Sequence, residues 1–349
     1  MKGGSAAHIE VKQLSRDDAG RWDSFVDNCS AATFFHRAAW QRVVEKSFGH
    51  ECHFLLAEVN GEVCGVLPLV HIKSRLFSNA LVSNAFCVYG GPVATTDEAH
   101  RALDRTAQAL AEQLGVDYLE YRLREPSSRN WPAKRELYAT FRKEMSTEAD
   151  SNLQAIPRKQ RAMVRKGIKA GLRSEVDRDI DRFFPIYAQS VRDQGTPVFP
   201  KRYFRALKEV FGENCEVLTV LHGERPVSSV LSFFFRDEVL PYYGGGLPDA
   251  RRLAAFDFMY WEVMRRACEK GCRIFDFGRS KRGTGAFDFK RHWGFEAQPL
   301  SYEYLLVGAK QIPQIDPFNP KYRLAIEAWK HLPLGVANLI SPMISRNLG

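Results

Sequence analysis

Several absences narrow what this chain can be. No uninterrupted apolar run approaches the roughly 18 residues that a membrane-crossing helix needs, so no transmembrane span is expected. Met1 to Val11 holds one lysine and no apolar core of a secretory signal, which argues against export. The seven cysteines (29, 52, 64, 87, 215, 268 and 272) are odd in number, scattered, and without paired Cys-x-x-Cys spacing. They read as reduced, mostly buried thiols of a cytoplasmic protein. His50, Cys52 and His53 lie close together, but alternation along a strand would set Cys52 opposite His53, so no metal site is expected. A Gly-x-Ser-x-Gly elbow is missing, and no Cys-His pair has recognisable spacing, so a covalent acyl-enzyme finds no support.

What is present fits a soluble protein of about two domains: 349 residues, 45% hydrophobic and 26% charged. The net charge of +9 is unevenly spread. Between Pro157 and Arg173 stand Arg158, Lys159, Arg161, Arg165, Lys166, Lys169 and Arg173, with no acid among them. Such a block implies a polyanionic partner: RNA, a diphosphate-linked substrate or an anionic membrane surface. A solvated helix face is the plain alternative. Val164, Ile168 and Leu172 recur every fourth residue, which predicts one amphipathic helix over Ser151 to Leu172 with an apolar face and a basic face.

The chain repeats itself. Phe48-Gly49-x-x-Cys52 leads to a strand, then Asn60-Gly61-Glu62, then a second apolar run; Phe211-Gly212-x-x-Cys215 leads to a strand, then His222-Gly223-Glu224, then another run. Each Gly-Glu marks a hairpin turn. Tyr89-Gly90-Gly91 is answered by Tyr243-Gly244-Gly245, preceded by Tyr242. Helical stretches follow, Asp97 to Leu114 and Leu253 to Lys270, each ending at a glycine, Gly115 or Gly271. After each comes a short strand with a central carboxylate, Glu120 or Asp276. Amphipathic helices precede both hairpins. The expectation is a duplicated α+β fold, each domain a mixed sheet packed with helices. The expected boundaries are 1–150, a basic connecting helix at 151–173, a second domain at 174–308, and a proline-broken linker with a helical, apolar tail at 309–349. That tail is expected to cover the second domain's sheet or to lie on a membrane surface.

The stretch from Phe275 to Phe295 concentrates the chemistry: a strand carrying Asp276, then Gly278, Arg279, Lys281, Arg282, Gly283 and Gly285, then Phe289-Lys290. Glycines admit a close ligand, and cations complement an anion.

These motifs together resemble the FemAB family: a basic helix between halves, Tyr-Tyr-Gly-Gly-Gly, Phe-Asp-Phe-Gly and Phe-Lys. The details look especially like the members that accompany PEP-CTERM/exosortase and exopolysaccharide systems. The resemblance covers about Trp22 to Leu306. It implies two GNAT-like domains and an aminoacyltransferase that builds peptidoglycan bridges or acts on a related cell-envelope precursor. It implies aminoacyl-tRNA as donor, no tightly bound cofactor, and a location in the cytoplasm, with peripheral contact to the inner membrane possible through the tail. Family positions fall on Phe289-Lys290, on Asp276-Phe277-Gly278, on Trp40-Gln41-Arg42 and on Gly91-Pro92. Two family positions depart: the aspartate that follows the Gly-Pro falls at Thr95, and the second-domain arginine that grips phosphate falls near Phe199.

The expected chemistry is direct attack of an amine on an activated ester in a pocket between the domains. Lys290 would stabilise negative charge, and Asp276 or Asp288 would take the amine proton. Phe289, Gly278, Arg279, Tyr242, Tyr243, Tyr89, Gly91 and Arg42 are the expected substrate contacts. Arg158, Lys159, Arg161, Arg165, Lys169, Lys281 and Arg282 are the expected anion or tRNA contacts. The plain reading of Asp276 is a carboxylate bonded to backbone amides or to Arg279. Two rival functions remain beside this one. The first is an acyl-CoA-dependent N-acyltransferase using Ser280-Lys281-Arg282-Gly283-Thr284-Gly285 as a pyrophosphate turn. The second is a non-enzymatic protein that docks RNA or a membrane.

Overall fold

The computed structural model describes residues 8–74, 78–312 and 320–347. The chain divides into two compact units: Met1–Arg135 with Leu300–Pro313 and Asn347–Gly349, and Glu136–Pro299 with Gln314–Arg346.

The first unit runs β1 (Glu10–Gln13), α1 (Ala19–Asn28), α2 (Ala39–Phe48), β2 (Glu51–Cys52), β3 (Leu55–Val59), β4 (Glu62–Leu67), β5 (Val70–Lys73), β6 (Asn79–Ser83), β7 (Val93–Ala94), α3 (Asp97–Gln113), β8 (Tyr118–Leu123) and β9 (Ala133–Lys134). The hairpin β3–β4 turns at Asn60 and Gly61, both at positive φ (+51° and +82°). That left-handed pair matches the strand twist, which is why Asn-Gly is favoured there. Thr96 caps α3 by accepting the Ala99 amide at 3.2 Å, and Asp97 and Glu98 complement its N-terminal dipole. Ala99, Leu103, Ala107 and Ala111 form a stripe of mostly small residues that lets α3 lie close on the sheet, and they join Leu55, Leu67, Leu81 and Leu119 in one core. A helix-containing crossover returns the chain, so β6 and β8 pair in parallel from Ala80↔Tyr118 to Ser83↔Tyr121.

The second unit runs β10 (Tyr138–Thr140), β11 (Arg142–Glu144), α4 (Ala149–Ala155), α5 (Arg158–Lys169), β12 (Leu172–Asp177), α6 (Phe183–Asp193), α7 (Lys201–Phe211), β13 (Cys215–His222), β14 (Arg225–Phe235), β15 (Glu238–Gly246), α8 (Asp249–Arg252), α9 (Ala255–Glu269), β16 (Ile274–Asp276), β17 (Ser280–Lys281), α10 (Gly285–His292) and β18 (Gln298–Pro299). Its main sheet has the order β11-β16-β15-β14-β13-β12. The β13–β14 hairpin turns at Gly223 (φ +62°), and α9 ends at Gly271 (φ +78°), as the repeat predicts. β15 and β16 pair in parallel at Glu238↔Ile274 and Val239↔Phe275 and no further, although β15 continues to Gly246. The strands therefore separate beyond that point. The glycines of β15 serve packing: a Cβ at Gly245 would stand 2.8 Å from the Tyr187 Cα, and one at Gly246 would stand 2.7 Å from the Phe256 ring. Helices α6 and α9 thus approach the strand as closely as glycine permits.

The chain then returns to the first unit as β19 (Ser301–Leu306), pairing with β8 on one side and β9 on the other. It ends in α11 (Pro320–Lys330) and α12 (Leu334–Ser345).

Four expectations change. The units part at Arg135 rather than near residue 150, and 300–313 belongs with the first unit because β19 completes that unit's sheet. The basic stretch is two helices and a strand. Ile156 is extended ahead of Pro157, as a residue before proline must tend to be, and Leu172 opens β12 beside β13. On α5 the buried face is Gln160, Val164 and Gly167, while Ile168 is 49% exposed. The tail docks on the second unit's helix α6 rather than over its sheet: Arg192 donates to the Lys330 and Leu332 carbonyls (3.2 and 3.0 Å), and the Ser341 hydroxyl accepts the Val198 amide (3.2 Å). Leu324, Leu339 and Met343 of the tail stay exposed. Most of the proline-broken linker, like residues 1–7 of the N-terminus, lies outside the described residues. All seven cysteines are free thiols, four of them buried. Among the described residues no helix is long and apolar enough to cross a membrane.

Candidate functional site

Asp276 ends β16 and is 1% exposed. Its Oδ1 accepts the Gly278 amide at 2.7 Å and the Thr140 hydroxyl at 3.2 Å, and Arg142 Nε lies 3.3 Å from its Oδ2. Gly278 adopts φ +65°, a conformation costly for other residues, and so folds its amide back onto the carboxylate. Its partners thus include a backbone amide, a hydroxyl and Arg142. Arg142 also pairs with Glu238.

Lys290 approaches the same turn from α10. It is 8% exposed, and its ammonium donates to the carbonyls of Phe277 (2.7 Å), Gly278 (2.9 Å) and Arg279 (3.1 Å). Three donors meet three acceptors. Burial pushes the Lys290 pKa down to about 7, with Asp276 opposing that shift and Arg279 adding to it. The sequence expectation set Lys290 against a substrate's charge. In this structure its hydrogens are committed to the chain's own backbone, because a buried ammonium must be satisfied where it lies.

The remaining expected residues distribute unevenly. Phe289 is half-buried against Tyr260 and Trp293 (centroids 5.6 and 6.0 Å). Arg279 lies 4.5 Å over the Tyr138 ring, and Arg282 lies 5.7 Å over Phe287, while Lys281 pairs through its backbone in β17. At the Ser280–Gly285 turn, the Thr284 hydroxyl already caps α10 by accepting the Phe287 amide at 3.3 Å. Asp288 is exposed on α10, whereas Phe287 and Lys290 point inward, and it is not brought to Asp276. Tyr243 is a core residue whose hydroxyl bonds that of Tyr203 at 2.9 Å, and burial pushes its phenol well up. Tyr242 packs on Phe233 and Tyr243.

In the first unit, Tyr89 is buried against Phe35, and the Gly91 carbonyl accepts from His36 Nε2 at 3.2 Å. Arg42 is exposed on α2. Glu120, the counterpart of Asp276 in the repeat, accepts from Arg122 Nε at 2.7 Å, with both side chains buried.

Cations of α5 line a surface hollow of about 410 Å³: Arg158, Arg161, Arg165, Lys166 and Lys169. Lys159 is exposed on the same helix. Arg161 is tied back to the Gln154 carbonyl and side chain, each at 2.7 Å.

One group escaped the sequence reading. Asp257, in the first turn of α9, accepts from Gln160 Nε2 of α5 and from Trp293 Nε1, each at 3.0 Å. Burial raises its pKa, and the two donors oppose that shift. The signal was a lone carboxylate in an otherwise apolar helix start, Ala255-Phe256-Asp257-Phe258-Met259. Tyr260, one turn on, meets Phe277 edge-to-face at 5.0 Å and so links this network to the turn. Among the described residues, one cluster could hold a metal ion, Glu51, His53 and His71.

Residues 158–291 match the sequence model of the family described as Acetyltransferase (GNAT) domain. Among curated proteins no sequence matches this chain significantly. Among solved structures the chain is similar to FemX, with a TM-score of 0.64 and 16% identity over 91% of this chain and 100% of that one. It is similar to the C-terminal domain of an Agrobacterium fabrum protein assigned as a lysylphosphatidylglycerol synthetase (TM-score 0.57, 15% identity, 82% and 91% covered). A tandem GNAT protein from the clavulanic acid biosynthesis pathway is also similar (TM-score 0.55, 13% identity, 87% and 100% covered). At these identities the likeness establishes the fold. The chain thus has a GNAT-like α+β fold, of the kind seen in tandem GNAT proteins, and residues 158–291 are similar to the acetyltransferase (GNAT) domain family.

Proposed function

We propose that this protein is a FemAB-like transferase that forms an amide bond, passing an aminoacyl or acyl group to an amine of a cell-envelope precursor. The observation that carries this reading is the likeness to FemX across 91% of the chain. A neutral amine attacks the carbonyl carbon of an activated ester, and the C–N bond forms through a tetrahedral oxyanion. The ester C–O bond then breaks, and the leaving hydroxyl takes up the proton the amine gives away. This route needs orientation and charge rather than a covalent nucleophile. The turn Phe277–Arg279 is built for orientation: Asp276 holds its Gly278 amide, and Lys290 holds its three carbonyls. Both residues act here as positioning residues.

The α5 hollow suits phosphates of a charged tRNA or of a diphosphate-linked acceptor. The exposed Leu339 and Met343 of α12 suit a peripheral membrane contact.

The test is transfer of an amino acid from charged tRNA to amine-bearing muropeptide or glycan precursors by the purified protein. Product formation that needs charged tRNA supports the reading; absence of salt-sensitive tRNA binding at low salt sinks it. The GNAT domain match favours a second reading, in which acyl-CoA is the donor. A thermal shift of several degrees with acyl-CoA, and none with charged tRNA, would select it.

A further inference from the structure

We propose that the first unit binds a late first-row divalent metal ion, zinc being the natural occupant, through Glu51, His53 and His71. One donor atom from each lies within 4.8 Å of the others. The sheet brings them together. β2 runs antiparallel to β5 with Glu51 directly opposite His71, and the His53 amide donates to the Leu69 carbonyl at 2.8 Å, which continues the pairing. Side chains two apart on a strand share a face, so His53 stands beside Glu51, and Cys52 points to the other side. The alternation that removes Cys52 from the cluster is what assembles the other three.

The surroundings suit a metal. His53 and His71 are each 5% exposed, whereas Glu51 is exposed, so two imidazoles sit inside and a carboxylate stands at the mouth. His53 Nε2 is buried without a hydrogen-bond partner and lies 3.5 Å from Glu51 Oε1. His71 is oriented by its neighbours: Asn79 Nδ2 donates to the Gly115 carbonyl at 3.0 Å, which turns Asn79 Oδ1 toward His71 Nε2 at 2.7 Å. The carbonyl oxygen fixes the proton on Nε2 and leaves Nδ1 with the lone pair, the outer-sphere arrangement that metal-ligating histidines use. The Gln13 amide nitrogen lies 3.4 Å from His53 Nδ1, and turning that amide end for end would present its oxygen there in the same way.

Two imidazole nitrogens and one carboxylate oxygen, with a solvent-facing side for water, match the preferences of zinc over those of calcium or magnesium. The ion would clip β2, a two-residue edge strand, to its sheet. This inference is independent of the transferase reading.

The experiment uses metal-stripped full-length protein titrated calorimetrically with Zn²⁺ and, in parallel, with Co²⁺ followed by visible absorption. The expected result is one ion per chain and the intense d–d bands of a four- or five-coordinate cobalt. His53→Ala and His71→Ala should each weaken binding at least tenfold. Glu51→Gln, at an exposed position where the fold is not at stake, should also weaken it, while His222→Ala on the exposed second hairpin should leave it unchanged. Zinc should raise the melting temperature of the wild type more than that of Glu51→Gln. No binding by the wild type would overturn the proposal. So would undiminished binding by Glu51→Gln and by a His71→Ala variant whose circular dichroism is native.

Discussion

Replacing Lys290 with methionine tests whether burial or backbone hydrogen bonding governs the turn at the end of β16. The ammonium's pKa falls from 10.5 to about 7 in the fold. That difference of about 3.5 units corresponds to roughly 5 kcal/mol at about 1.36 kcal/mol per unit. Against it stand three carbonyl bonds, each worth about 1.5–3 kcal/mol when the donor is charged. Between pH 7 and 10.5 the unfolded chain holds the proton more firmly than the folded chain does. Wild-type stability therefore rises with pH across that window, and the penalty is fully present below it. Methionine has no proton to lose, but it leaves the carbonyls of Phe277, Gly278 and Arg279 without this donor. Urea unfolding followed by tryptophan fluorescence at pH 7.5, 8.5 and 9.5 should show the wild-type advantage over Lys290→Met widening. The expected slope is up to about 1.4 kcal/mol per pH unit. Parallel pH profiles would refute the argument, because they would mean that the carbonyls hold the lysine at its ordinary pKa.

Other substitutions probe the remaining claims. Lys290→Ala should cut amide product formation at least tenfold in the transfer assay, through a loosened turn. Gly245→Ala, which drives a methyl toward the Tyr187 backbone, should cost about 1–3 kcal/mol. Gly171→Ala, with open space but φ +72°, should cost about 1–2 kcal/mol for conformation alone; calorimetric melting compares the two. Asp257→Leu strands the Gln160 amide and the Trp293 indole, so a loss of about 2–5 kcal/mol is expected, with altered Trp293 emission. Reversing Arg165 and Lys169 to glutamate should weaken polyanion binding at low salt and flatten its salt dependence, as read by fluorescence anisotropy.

The repeat was legible in the sequence because its punctuation is local. Asn60-Gly61, Gly223, Gly115 and Gly271 all stand where a left-handed residue is needed, and the chain alone reveals such needs. The cluster of Asp276, Gly278 and Lys290 was legible as a set of residues, but its roles were not. Which atoms satisfy a buried ammonium depends on how a turn folds back on a helix thirteen residues later. Periodicity misled at Ile168, since Val164, Ile168 and Leu172 obey helical spacing only while the helix lasts, and Leu172 already belongs to a strand. A glycine such as Gly167 ordinarily weakens a helix by about 1 kcal/mol. A Cβ there would stand 2.8 Å from Phe258, so the residue sets how near α5 and α9 can pass. Pairing across long sequence separation left no local trace. His71 stands eighteen residues beyond His53, and only the register of β2 against β5 sets it opposite Glu51.

The return strand β19 bears on the order in which this protein can be made. The first unit's sheet lacks a strand between β8 and β9 until Ser301–Leu306 has been synthesised, so the unit that begins the chain cannot complete its sheet until most of the second unit has been made. Residues 136–299, most of the second unit, lie within the first and can collapse on the ribosome before that sheet is complete, with the tail that docks on α6 following last. A gene cut near codon 150 would deliver a sheet with Tyr118–Leu123 left as a raw edge, the kind of exposed strand that recruits another chain. Expressing the first unit by itself would instead call for removing residues 136–299 and joining 300–313 directly behind Arg135.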